Sequence, residues 1–101
     1  MSSDVLHAPR ERLTATTVAT HQAIVSLMEE LEAVDWYNQR ADACKDMDLK
    51  AILQHNRDEE KEHAAMLLEW IRRKDSTFSK QFKDYLFTEK PIAKLESQRK
   101  A

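Results

Sequence analysis

The sequence predicts an all-α fold, and two observations carry that reading. The 101 residues include no glycine and only two prolines, and apolar residues recur at intervals of three and four along two long stretches. Without glycine, the tight turns that join strands lose the residue that fills left-handed backbone cheaply. Ala, Leu, Glu, Lys, Gln and Arg dominate instead, and these are strong helix formers. A chain this short makes one domain at most, with a thin core unless another chain covers part of it.

Residues 1–12 are polar and carry Pro9, so they read as a flexible N-terminal arm. A long helix is expected from about Leu13 to Ala41, with Ile24, Leu27, Met28, Leu31 and Val34 on a buried stripe. The polar stretch from Ala41 to Met47 is short enough to make two helices antiparallel neighbours. The second helix is expected over Asp48 to Lys74, capped by Asp48, with Leu49, Ile52, Leu53, Met66, Leu67, Trp70 and Ile71 on its apolar face. Ser76 would cap a third, shorter helix holding Phe78, Phe82, Tyr85 and Leu86, which Pro91 would stop. Residues 13–91 thus form the helical domain, a hairpin with a short third helix. The tail, residues 92–101, has room for a turn or two of helix but is expected to fray.

Several function classes are disfavoured. The glycine-rich loops that cradle nucleotide phosphates are absent. Charged residues make up 34% of the chain but nearly cancel, leaving a formal net charge of -2 and no broad footprint for nucleic acid or an anionic membrane. A single cysteine, Cys44, cannot form an internal disulfide, and no secretory signal or bilayer-length apolar run appears. A reducing, cytoplasmic location is the expectation.

Three residues interrupt the apolar faces. The helix-one stripe through Ala23, Leu27, Val34 and Tyr37 contains Glu30, and the helix-two stripe through Ile52, Asn56, Leu67 and Trp70 contains Glu60 and His63. A charge among apolar neighbours needs a partner. Glu30 and Glu60 each lie roughly 15 residues, about 22 Å of helix, from a turn centred near residue 45, so the hairpin sets them side by side. Carboxylates with an imidazole suit iron, manganese or zinc. A di-iron carboxylate site in a four-helix bundle needs a Glu from each of two helices and a Glu-x-x-His from each of the other two. This chain has one of each, so a two-fold homodimer would complete both the bundle and the ligand set.

Met28 to Tyr37 (MEELEAVDWY) and Asn56 to Met66 (NRDEEKEHAAM) closely resemble the encapsulated ferritins, the ferritin-like proteins of bacterial encapsulin nanocompartments. The resemblance runs from about His21 to Pro91. It implies a ferroxidase that oxidises Fe(II) to Fe(III) at a di-iron centre shared between subunits, with Glu30, Glu60 and His63 as ligands and Tyr37 beside them. It further implies a second metal position on the path to the centre, at Glu29 and Glu32 with Trp36 nearby, taking Ca2+ or another divalent ion. By the same resemblance, dimers join in a decameric ring inside an encapsulin shell that stores the iron mineral. The family docks to its shell through a C-terminal targeting peptide, which the residues before Ala101 do not resemble. Either the natural chain continues or delivery uses another route.

Blander readings stand beside these. Glu29, Glu32, Asp35, Glu59 and Glu62 fit a solvated acidic face with partners such as Lys61. His21 and His55 fit surface or interface histidines, and Trp36, Trp70, Phe78, Phe82 and Tyr85 fit packing. A structural hairpin whose inward polar residues fix dimer register, or a zinc or manganese buffer without turnover, would use the same residues.

Overall fold

The stretches with helical spacing are helices in the computed structural model, which describes residues 5–100. Helix α1 spans Ala15–Ala43 and α2 spans Met47–Lys74. They are followed by α3, Ser76–Tyr85, and α4, Ile92–Lys100. No strand occurs among the described residues, so the all-α expectation holds. Of the expected arm, residues 1–4 lie outside the described residues, and Arg10–Arg12 form one turn of 3-10 helix.

The ends of the helices show where local chemistry was read one step off. α1 begins after Thr14, whose Oγ1 accepts a hydrogen bond from the Thr17 N–H at 3.1 Å. α2 is capped by Asp46, not Asp48, because Asp46 Oδ1 accepts from the Leu49 N–H at 3.0 Å. α3 is capped by Asp75, not Ser76, through Asp75 Oδ1 and the Phe78 N–H at 2.9 Å. In both cases the residue just outside the helix does the capping, and the expected cap lies inside the helix instead. Pro91 does not stop α3, which ends six residues earlier. There Thr88 Oγ1 donates to the Tyr85 carbonyl at 3.0 Å, and Phe87 takes a left-handed φ of 60°. With no glycine in the chain, a phenylalanine fills that position, a conformation that costs about 1–2 kcal/mol.

The described residues divide into two compact units between Ile71 and Arg72. In the first, α1 and α2 run antiparallel, joined by the three residues Cys44, Lys45 and Asp46. Arg57 ties the pair by donating from Nη1 to Asn38 Oδ1 at 3.1 Å, and it also pairs with Asp58. Ala23, Ala41, Ala64 and Ile71 are buried here. Small residues at these positions let the two backbones approach.

The stripe expected to be buried on α1 is only partly so. Ile24, Met28 and Leu31 are 39%, 42% and 53% exposed, and Ile52 and Met66 on α2 are 57% and 64% exposed. One helix can cover only one side of its neighbour, and a hairpin has no second layer to cover the rest.

The second unit contains the end of α2 with α3 and α4. Phe78 and Phe82 stack at a tilt with centroids 5.4 Å apart. The tail does not fray as expected: α4 packs on α3 and buries Leu95. A nine-residue helix is marginal by itself and holds here through that packing.

Candidate metal centre

Halfway along the hairpin, α1 contributes Glu30 and α2 contributes Glu60 and His63. Glu60 and His63 lie three apart, hence on one face of α2, and the antiparallel register brings Glu30 opposite them. His63 Nδ1 lies 3.5 Å from Glu30 Oε2 and 3.5 Å from Glu60 Oε2. One donor atom from each of the three falls within 4.8 Å of the others, and no second group of three such residues occurs among the described residues. The hairpin thus brings together the three residues singled out from the sequence.

The electrostatics are those of an incomplete site. Glu30 Oε2 is buried and has no hydrogen-bond partner, a costly state for a carboxylate oxygen. Glu30 holds its proton above the ordinary carboxylate value of 4.5. The leading cause is a hydrogen bond with Glu60 that favours the protonated form, followed by desolvation and the Glu60 charge, while His63 pulls the other way. Two carboxylates converge with too little positive charge between them. A metal cation answers each deficit at once: it accepts the orphaned oxygen, removes the repulsion and displaces the proton. The donor set fits iron, manganese or zinc. His63 remains 46% exposed at its side chain, so the cluster opens at the hairpin surface.

The remaining candidates lie outside this cluster. Tyr37 is half-buried two turns along α1 from Glu30, about 10 Å in rise, and the Arg40 guanidinium sits 5.4 Å from its ring centre. Glu29 and Glu32 are exposed on α1 and join no group of three potential ligands among the described residues. Trp36 is 48% exposed. His55 pairs with Glu59 at 3.7 Å, both well exposed, an ordinary solvated pair with His55 about two helical turns from His63. The clamp Asn38–Arg57 was missed in the sequence. Its signal was there: positions 38 and 57 sum to nearly the same value as 30 and 63, as antiparallel partners about one turn must.

Comparison with known proteins bears directly on this cluster. The profile of the EncFtn-like family matches residues 5–89. The chain belongs to the EncFtn-like family. Its relatives include the Encapsulated ferritin-like protein of Rhodospirillum rubrum, 60% identical over 96 residues that cover 95% of this chain and 69% of that protein. The Ferritin-like protein of Thermotoga maritima is 48% identical over 95% of this chain and 84% of its own length. The Encapsulin nanocompartment cargo protein EncC of Myxococcus xanthus is 47% identical over half of this chain and 39% of its own. Among solved structures, protein ne0167 from Nitrosomonas europaea is 68% identical and superposes with a TM-score of 0.84, covering 87% of this chain and 97% of that one. The resemblance in the Met28 and Asn56 motifs therefore extends to the family and to the fold. No helix among the described residues is long and apolar enough to cross a membrane.

Proposed function

We propose that this EncFtn-like chain is a ferroxidase, oxidising Fe(II) to Fe(III) at a di-iron site that two copies assemble. The observation that carries it is the Glu30, Glu60 and His63 cluster with a buried carboxylate oxygen that has no hydrogen-bond partner. The three residues are half of the ligand set that a di-iron carboxylate bundle requires. A second copy, related by a two-fold axis, supplies the other half. Ile24, Met28 and Leu31 on α1 and Ile52 and Met66 on α2 are exposed, and covering what remains exposed of each stabilises a dimer by roughly 1 kcal/mol apiece.

Iron is the substrate here. Each ferrous ion gives up one electron, which dioxygen or peroxide takes up. Glu30 and Glu60 bind the incoming ions, and their negative charge favours the more highly charged ferric product. His63 adds a nitrogen donor whose orientation depends on the hydrogen bond its other ring nitrogen makes. The raised affinity of Glu30 for its proton means that iron binding competes with protonation at that carboxylate. In the same reading Tyr37 stands beside the completed centre, and Glu29 and Glu32 form a second metal position on the approach, with Ca2+ or another divalent ion as occupant. The names of the Rhodospirillum rubrum and Myxococcus xanthus relatives support a role as cargo of an encapsulin shell; we further propose that this shell lies in the cytoplasm and that the dimers join in a decameric ring.

Aerobic oxidation of Fe(II), followed by ferric absorbance, tests this together with solution mass measured with and without metal. Rapid turnover that falls to the uncatalysed rate in Glu30→Ala/His63→Ala, with mass responding to metal, is the expected result. Turnover at the background rate in both proteins sinks the ferroxidase reading. In that case a dimer of metal-independent mass favours a structural hairpin, and tight zinc or manganese binding favours a buffer.

A further inference from the structure

Arg57 and His63 stand three residues to either side of Glu60 on α2. At 3.6 residues per turn each lies about 60° around the helix from Glu60, in opposite directions. One flank of the hairpin therefore presents His63, and the other presents Arg57. On that second flank Arg57 Nη1 donates across to Asn38 Oδ1 of α1 at 3.1 Å. Arg57 Nε donates to Asp58 Oδ1 at 3.0 Å, and Lys61 Nζ lies 3.2 Å from the same oxygen. The planar guanidinium is thus held at two of its nitrogens, and the side chain is 22% exposed.

The packing beside this bond does little to fix the height of one helix against the other. Ala23, Ala41 and Ala64 are among the residues buried in the hairpin, and a methyl group makes a shallow ridge that a neighbouring helix slides past at little cost. A hydrogen bond resists that sliding because it depends on distance and angle. Metal binding is sensitive to the same coordinate. Sliding α2 by one residue moves Glu60 and His63 by about 1.5 Å relative to Glu30, whereas distances in a metal site hold to within about 0.2 Å.

We propose that Arg57 is a positioning residue: through Asn38 it fixes the axial register of α1 and α2, and so holds Glu30 in reach of Glu60 and His63. This role rests on the cluster binding metal, as proposed above. Arg57 acts through the backbones of the two helices and takes no part in the chemistry.

The test titrates Co(II), whose visible absorption reports the geometry of its ligands, into the full chain and its variants without iron. Arg57→Met keeps the aliphatic stem and removes the donors. It should weaken Co(II) binding by about fivefold, the worth of one partly exposed hydrogen bond, and change the shape of the spectrum. Asn38→Leu should do the same, while Asn38→Asp, which keeps an acceptor in place, should bind within about twofold of the native chain. Thr14→Ala removes the capping bond at the start of α1, of similar worth to folding, and should leave affinity and spectrum unchanged. Circular dichroism establishes that each variant is folded. The assignment is overturned if Arg57→Met binds Co(II) with native affinity and spectrum, or if Thr14→Ala weakens binding equally, which would reduce the bond to general stability. Native binding by Glu30→Ala/His63→Ala instead overturns the metal centre itself, and the role of Arg57 with it.

Discussion

The hairpin and the C-terminal unit settle their polar groups in opposite ways. In the C-terminal unit the capping bond of Asp75, the Lys80–Asp84 pair and the buried Leu95 all lie within the same thirty-residue stretch. At the middle of the hairpin, Glu30 keeps a buried oxygen without a partner, two carboxylates share one imidazole, and the apolar side chains alongside stay 39% to 64% exposed. A folded chain tolerates a costly polar group where something else offsets the cost. On the proposed reading, the polar centre of the hairpin is finished by other species, a metal and a second copy, whereas Asp75 and Lys80 of the C-terminal unit find their partners within it.

The largest test of that contrast compares adjacent carboxylates. Glu60→Ala should lower the rate of Fe(II) oxidation by about 100-fold or more, as loss of a group acting directly on the reacting species does. Glu59→Ala, one residue away but paired only with exposed His55, should leave the rate within about twofold. Equal losses from the two would show that general acidity of the helix, not the cluster, binds iron.

Next in size is the dimer. Met28→Asp places a charge on the uncovered stripe of α1 and should weaken self-association by about 100-fold, roughly 3 kcal/mol, in analytical ultracentrifugation. Phe78→Asp, on the 43% exposed residue that stacks on Phe82 in the C-terminal unit, should lower unfolding stability and leave the dimer constant largely intact. If Met28→Asp dimerises like the native chain, the exposed stripe is not the interface.

The proton on Glu30 gives a test of sign. Its native-state value is raised, so the folded metal-free chain holds this proton more tightly than the unfolded chain does. The stability from that group is complete below the ordinary value of 4.5 and is lost as pH rises through the raised one. Metal-free protein should therefore show a decline in melting temperature across that window, and Glu30→Gln should flatten it. Metal addition should release protons in the same window. A profile in which Glu30→Gln and native protein decline in parallel would remove Glu30 as the cause. The smallest expected effect belongs to the self-contained unit: Asp75→Ala should cost about 1 kcal/mol in urea unfolding and leave iron oxidation unchanged.

Much of the fold was legible because helical periodicity is a local property. The spacing of apolar residues marked both long helices to within about two residues of their ends, and the equal distance of Glu30 and Glu60 from residue 45 gave the register that brings them together. The caps were less legible. Asp46 and Asp48, or Asp75 and Ser76, are chemically similar candidates, and the choice depends on which backbone is extended in the connection. The tail was misread because nine residues of modest propensity decide nothing until Leu95 finds α3.

The sequence alone determined the secondary structure, the hairpin and the identity of the three clustered residues, since each follows from a repeat of 3.6 residues and a short polar turn. Tertiary structure alone decided which side of each helix is covered. It also brought Glu30 to Glu60 and His63 and left a buried Glu30 oxygen without a hydrogen-bond partner. Those outcomes depend on distances between segments remote in the chain, and no local pattern of residues records them.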